Sequence, residues 1–295
     1  MHRIARFIVR GLAALLMLSA ALLAPAAVAQ QEYGDDQYRP HSGQDGKDVI
    51  WVPTPQALVE RMLDMAKLTP EDIHYDLGSG DGRTVITAAK RGTQAYGVEF
   101  NPEMVALSRR AAEREGVADR AQFINGDIFK TDFSKATVLT LYLLPSLNLK
   151  LRPTILKMKP GTRVVSHAFS MDDWQPDDIA NVEGRTAYLW IVPARVEGTW
   201  RWSPSGNSAK EYELVLRQQF QNVEGLVRLD TGKMGQLRNV KLVGDRISFS
   251  INELAGTHGA IRRDYTGRVS GDAMQGTFKV LSEGAEIQWT AKRAN

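Results

Sequence analysis

Residues 73–82 read Ile73-His74-Tyr75-Asp76-Leu77-Gly78-Ser79-Gly80-Asp81-Gly82. The apolar positions Ile73, Tyr75 and Leu77 predict a short buried strand, and the three alternating glycines predict a tight turn. After Arg83, the seven residues Thr84-Val85-Ile86-Thr87-Ala88-Ala89-Lys90 read as a helix. A strand, glycine turn and helix in this order let a nucleotide-like ligand approach bare backbone at a helix N-terminus. Spacing narrows the ligand. Dinucleotide folds carry G-x-G-x-x-G, whereas Gly78, Gly80 and Gly82 form G-x-G-x-G with the acid Asp76 two residues ahead. No Gly-Lys-Ser/Thr follows, which excludes a phosphate-cradling loop of the NTPase kind. An acid ahead of the glycines suits a cationic ligand better than a pyrophosphate.

Two further acids test this reading. Gln94-Ala95-Tyr96-Gly97-Val98 reads as a second strand ending in Glu99, the position from which a ribose hydroxyl pair is usually held. Ala121-Gln122-Phe123-Ile124-Asn125 reads as a third strand and ends in Gly126-Asp127-Ile128-Phe129. An acid there accepts from an adenine amino group while Ile128 or Phe129 covers the ring. Three strand ends in register, each closing on an acid, point to S-adenosylmethionine.

The first 29 residues read differently. Arg3, Arg6 and Arg10 precede an uncharged Leu/Ala-rich run over 11–27, and Ala27-Val28-Ala29 is a small-x-small cleavage site. This pattern predicts a secretory signal peptide over 1–29, with export to the periplasm. The competing reading is an uncleaved inner-membrane anchor, and only then would the protein be attached to a membrane. Three of the 37 basic residues and none of the 34 acidic ones lie in this segment, so the rest is charge-balanced. That balance does not call for a nucleic-acid partner. The chain has no cysteine, which excludes disulfides and thiolate chemistry. No His or acid pair sits at ligand spacing, so no metal site is expected.

Residues 30–47 are polar and predict a flexible lead-in. A helix follows with Leu58, Val59, Met62, Leu63 and Met65 at helical spacing, for which Thr54 is the expected N-cap and Pro55 the first helical residue. The turn before it either simply covers the sheet or lies over the ligand. Runs at 136–142 and 162–167 predict fourth and fifth strands around a helix over 145–157, and 186–193 a closing strand. Strands alternating with helices mean a parallel, doubly wound sheet of Rossmann-like α/β type over 48–193.

Beyond residue 193 the texture changes. Short alternating runs at 195–202, 211–220, 223–230, 236–242, 246–251, 265–269, 274–280 and 286–291 are separated by Gly-Asn, Thr-Gly, Gly-Asp, Ser-Gly and Glu-Gly turns. They predict a second domain over 194–295, an all-β barrel or sandwich of about eight antiparallel strands. Gly198-Thr199-Trp200 resembles the G-x-W at the mouth of lipocalin-like barrels, where the tryptophan is either packing or part of a ligand site.

Several strings together resemble a known family. They are Trp51-Val52-Pro53-Thr54-Pro55, Asp76-Leu77-Gly78-Ser79-Gly80-Asp81-Gly82-Arg83, Gly97-Val98-Glu99-Phe100-Asn101 and Gly126-Asp127-Ile128-Phe129-Lys130. The run over 101–109 and Trp174-Gln175-Pro176 add to them. They are similar to class I, seven-strand methyltransferases, and among these to the mitochondrial-type protein-lysine methyltransferases. The resemblance covers about 48–193. It implies S-adenosyl-L-methionine as cofactor, with Asp76, Gly78 and Gly80 on its methionine moiety, Glu99 on the ribose and Asp127 with Ile128 on the adenine. The turn that carries Thr54, if it lies over the ligand, covers the methionine end of the cofactor. Tyr142, where the fourth strand ends, is either the catalytic residue beside the reacting groups or an aromatic packed under the loop. The implied reaction is N-methylation of a protein lysine or small amine. The chain lacks the Asn/Asp-Pro-Pro-Tyr of DNA-base and glutamine methyltransferases, which disfavours those acceptors. His167 is either a base or a hydrogen-bonded core histidine. A non-catalytic alternative is an exported protein that binds a ligand or partner through its β domain.

Overall fold

Strand β1 (Ile73–Leu77) is the pivot of a seven-stranded sheet, and the computed structural model places β2 (Gln94–Glu99) and β4 (Val138–Leu141) in parallel on its two sides. The structure describes residues 33–203, 212–229, 232–254, 260–280 and 286–294. The expected signal segment, 1–29, lies outside these residues. Among the described residues no helix is long and apolar enough to cross a membrane.

The other elements of this sheet are α1 (Gln56–Met65), α2 (Arg83–Lys90), β2 (Gln94–Glu99), α3 (Pro102–Arg114), β3 (Ala121–Asn125), β4 (Val138–Leu141), α4 (Pro145–Ile155) and β5 (Arg163–His167), closed by β6 (Asp178–Val182) and β7 (Arg185–Ile191). Strand order is β3-β2-β1-β4-β5-β7-β6. The order turns outward from β1 to β2 on one side and to β4 on the other. This switch point is where open α/β sheets bind ligands.

Two apolar layers hold the sheet. Val59, Leu63, Val85 and Ala88 pack on the face covered by α1, α2 and α3. Leu151 and Ile155 of α4 pack on the other face with Tyr75, Leu77, Leu139, Leu141, Trp174 and Trp190.

The sheet is mixed rather than parallel throughout, which corrects the sequence expectation. β7 runs antiparallel to β5, and β6, which the sequence did not reveal, pairs antiparallel with β7. Glu183 and Gly184 make the hairpin turn with φ of 51° and 78°, the two left-handed central residues of a tight hairpin. β6 is mostly exposed, so its sequence carries no alternation to read. Thr54 is also not the N-cap. α1 starts one residue late, at Gln56, with Pro55 in the cap position and no side-chain cap.

Residues 34–47, expected to be flexible, are tied to the rest of the chain. Arg110 binds both carboxylate oxygens of Asp35, at 2.7 and 3.0 Å, and holds it well below the usual carboxylate range. Gln44 and Trp51 are joined through the backbone, with Trp51 N donating to Gln44 O at 2.9 Å.

The C-terminal part is one antiparallel sheet of nine strands, β8 (Gly198–Ser203), β9 (Tyr212–Gln219), β10 (Asn222–Arg228), β11 (Met234–Gln236), β12 (Arg238–Val243), β13 (Arg246–Leu254), β14 (Ala260–Ser270), β15 (Ala273–Val280) and β16 (Glu286–Arg293). Their order is β11-β10-β9-β8-β16-β15-β14-β13-β12. The sheet curls into a near-barrel, so it is not a sandwich. The run expected as one strand over 236–242 is two, because the chain breaks at Leu237 and the β12–β13 register shifts between Arg238 and Lys241. The interior is filled by aromatics. Tyr265 stacks on Phe249 at 4.9 Å and Phe278 at 5.0 Å, with Trp289 edge-on at 5.7 Å. Trp200 is fully buried, donates to Val196 O at 2.8 Å and is covered by the Arg293 guanidinium at 4.3 Å. This is the packing reading of the G-x-W.

The two sheets meet at the β9–β10 turn. Phe220 stacks on Trp174 at 5.8 Å, Trp174 Nε1 donates to Gln221 Oε1 at 3.0 Å, and Gln221 Nε2 donates to Gln175 O at 2.7 Å. Trp174 is fully buried, so Trp174→Ala should cost about 3–5 kcal/mol, the range for emptying a large buried aromatic site. Chemical denaturation measures this, and a loss below about 1 kcal/mol would show that the tryptophan does not anchor the junction.

Candidate active site

The β1–α2 turn forms the floor of a cavity of about 530 Å³. Gly78, Gly80 and Gly82 all have positive φ. A side chain at Gly80 would also run into the Trp51 indole, which lies directly over it. The turn is therefore bare because it is covered closely.

All eight residues expected at the site line this one cavity: Thr54, Asp76, Gly78, Gly80, Glu99, Asp127, Ile128 and Tyr142. β1 carries Asp76, β2 ends on Glu99, and the loop after β3 carries Asp127 and Ile128. Parallel register brings these strand ends to one edge of the sheet, with Asp76 opposite Gly97 and Glu99 opposite Asn125.

Each carboxylate has its own surroundings. Asp76 is buried and accepts from the Thr140 hydroxyl at 2.6 Å. Burial pushes its carboxyl up to about 7 against the Thr140 hydrogen bond, and the negative charges of Glu99 and Asp81 add to the rise. Glu99 ties the turn to the end of β2, since Gly80 N donates to Oε2 and Asn101 N to Oε1, both at 2.9 Å. Asp127 accepts from Lys47 Nζ at 2.7 Å and from Phe129 N at 2.9 Å, and the Lys47 contact first of all holds its carboxyl below the usual range.

Arg83, which also lines the cavity, fixes the turn. Its Nε donates to Asp81 Oδ1 at 3.0 Å and its Nη1 to Thr54 O at 3.0 Å. The Thr54 hydroxyl is spent on His167 Nδ1, at 3.0 Å. His167 is buried, and burial lowers its pKa to about 4, so the ring is neutral. It does not line the cavity; it is a hydrogen-bonded core histidine that backs Tyr142, whose ring stacks on it at 3.8 Å. Phe169 flanks Tyr142 at 6.1 Å.

Several lining residues were not singled out from sequence as site residues. Trp51 and Phe100 stood inside the recognised strings, and Phe100, 52% exposed directly after Glu99, is an aromatic with no core to fill. Lys47 lay in the polar lead-in and carried no signal. Among the described residues no group of three or more His, Cys, Asp or Glu is placed to hold a metal.

The site fits S-adenosylmethionine on its own geometry. The Ser79 Oγ is buried with no partner among the described residues. The glycine turn leaves backbone open, and acids stand at the ends of β1 and β2 and in the loop after β3. Fold and site together define a class I S-adenosylmethionine-dependent methyltransferase. Residues 76–178 match the model of the ANTKMT methyltransferase domain. A protein-lysine N-methyltransferase of Saccharolobus islandicus (strain REY15A) is 45% identical over 151 residues, 49% of this chain and 94% of that protein. The adenine nucleotide translocase lysine N-methyltransferase of Mus musculus is 34% identical over 142 residues, 48% of this chain and 61% of that protein. A solved structure of an RNA methyltransferase from Salinibacter ruber, in complex with S-adenosyl-L-homocysteine, is 49% identical and covers 49% of this chain and 96% of that chain, with a TM-score of 0.48. The chain belongs to the same class I family of S-adenosylmethionine-dependent methyltransferases as the Saccharolobus protein and is an enzyme of that class. The matched lengths account for about half of the chain.

Proposed function

We propose that this enzyme methylates the side-chain amine of a protein lysine. The observation that carries the proposal is the 45% identity to a protein-lysine N-methyltransferase over 94% of that protein's length. The site chemistry supports it. When bound, S-adenosylmethionine supplies an electrophilic sulfonium methyl. Asp76, Gly78 and Gly80 would hold its methionine moiety, Glu99 its ribose, and Asp127 with Ile128 its adenine. Tyr142, Leu143, Leu144 and Phe169 form a largely apolar wall of the cavity. A lysine reacts only as the free amine, and desolvation along such a wall favours that form. Because the donor is already activated, positioning of the amine is the enzyme's main contribution, and oriented reactants gain several orders of magnitude. A small amine would meet the same wall. Membership of a catalytic family disfavours a purely binding role for the protein.

Labelled S-adenosylmethionine, incubated with the full chain and a cell-envelope extract, tests this reading. Label should enter a protein band, and Asp76→Ala should abolish the transfer. Label that passes only into RNA or small molecules would overturn the lysine assignment.

The proposed workplace is the periplasm, on the strength of the residue 1–29 pattern. N-terminal sequencing from the native host should find Gln30 first. An intact Met1 in the membrane fraction would contradict cleavage and favour an anchored protein.

A further inference from the structure

β1 and β4 place three polar side chains on the sheet face that α1 and α2 cover. His74 and Thr140 are completely buried and Asp76 is 7% exposed. Thr140 Oγ1 lies 2.6 Å from Asp76 Oδ1 and 2.8 Å from His74 Nε2. A hydroxyl has one proton to give. Facing a carboxylate, Thr140 donates it to Asp76, and its oxygen must then accept from His74 Nε2–H. That makes His74 the Nε2–H tautomer, with a bare lone pair on Nδ1.

The far end of the chain agrees with this direction. His74 Nδ1 is buried with no hydrogen-bond partner among the described residues. Running the chain backwards, with a protonated Asp76 donating to Thr140 and Thr140 to Nε2, would put the imidazole proton on Nδ1. A buried N–H without an acceptor is the costlier orphan. The ring cannot ease this by charging, because burial lowers its pKa to about 3 against the weak pull of Asp72.

We propose that His74 and Thr140 are positioning residues of the cofactor site, a one-way hydrogen-bond chain that holds Asp76 as an acceptor turned toward the cavity. Asp76 is then ready for the ammonium group of the cofactor's methionine end. The inference rests on the reading of the cavity as an S-adenosylmethionine site.

The consequence is a pH dependence with a defined sign. The groups facing Asp76 are Thr84 from α2, Thr140 from β4, Asp81 from the turn and Glu99 from β2. Without a cation beside it, Asp76 stands at about 7. Below that pH it holds a proton that must leave when the ammonium binds. The apparent Kd should therefore be flat above the break and rise by up to about tenfold for each pH unit below it. Thr140→Val removes a hydrogen bond that favours the charged form, so the break moves up.

S-adenosylhomocysteine is titrated by calorimetry into the full chain from pH 5.5 to 8.5. Wild type should show the break near 7, with Kd at pH 6 about tenfold above that at pH 8. Thr140→Val should move the break up by about one pH unit, and Thr140→Ser, which keeps the hydroxyl, should bring it back. His74→Phe tests the donor separately and should also move the break up. Unmoved breaks in folded Thr140→Val and His74→Phe would overturn the proposal while leaving the cofactor site intact. Failure of folded wild type to bind S-adenosylhomocysteine would instead overturn the cofactor reading. Nitrogen chemical shifts of His74 give an independent check that does not need a variant. The proposal requires a proton on Nε2, and a proton on Nδ1 would contradict it.

Discussion

Glu99→Ala should weaken S-adenosylhomocysteine binding by about 2 kcal/mol or more, roughly thirtyfold, as calorimetry would read it. Two losses combine. The ribose loses its expected acceptor, and the turn loses its tie to β2. Gly80 N and Asn101 N each donate to one Glu99 oxygen at 2.9 Å, and the alanine variant leaves both amides without that partner in a half-buried place. Glu99→Gln separates the two effects. It keeps one carbonyl oxygen for a backbone amide but cannot serve both amides as acceptor. Its affinity should fall between wild type and Glu99→Ala. A threefold or smaller effect in folded Glu99→Ala would show that this carboxylate does not hold the cofactor.

Gly82→Ala should be strongly destabilising. Gly82 has φ of +80°, and an added Cβ would lie 2.7 Å from the Phe123 ring and 2.8 Å from Ser108 Cβ. The left-handed backbone costs about 1–2 kcal/mol for an L side chain, and overpacking a tight core adds about 1–3 kcal/mol. Melting should drop by at least about 5 °C. Gly116→Ala is the matched control. It has φ of +68° with nothing within 4 Å of an added Cβ, so it carries the backbone cost alone. Equal melting shifts for the two variants would mean that packing under the turn contributes nothing.

The methyltransferase sheet was legible because its signals are local. Each of the first three strands carries an acid at its end or within two residues of it, and the glycine spacing lies within a single turn. Tertiary choices were not legible. Thr54 has the residue type of a cap, yet its hydroxyl goes to His167, 113 residues away, and the helix begins without it. The lead-in looked disordered because it is polar, whereas its order comes from ion pairs such as Asp35 with Arg110 that only the fold brings together. β6 is short and exposed, so no alternation announced it. His74 sat inside the quoted stretch as one more buried strand residue. Its bond to Thr140 depends on β1 and β4 being neighbours, which the sequence does not state. In the C-terminal sheet the expected runs fall on strands, but β14 begins at Ala260, five residues before its run, and the run at 236–242 takes in both β11 and β12. The pairing of β8 with β16, far apart in sequence, joins the two halves of that sheet.

The most direct test is a crystal structure of the full chain with S-adenosylhomocysteine. The amino acid end should lie over Gly78 and Gly80 with its ammonium toward Asp76, the ribose hydroxyls on Glu99, and the adenine between Phe100 and Ile128 with its amino group on Asp127. Lys47, now 2.7 Å from Asp127, should have moved away from that oxygen or come to share it. A nucleoside bound elsewhere, or bound in this cavity with Asp76 and Glu99 both out of hydrogen-bond reach, would contradict the account.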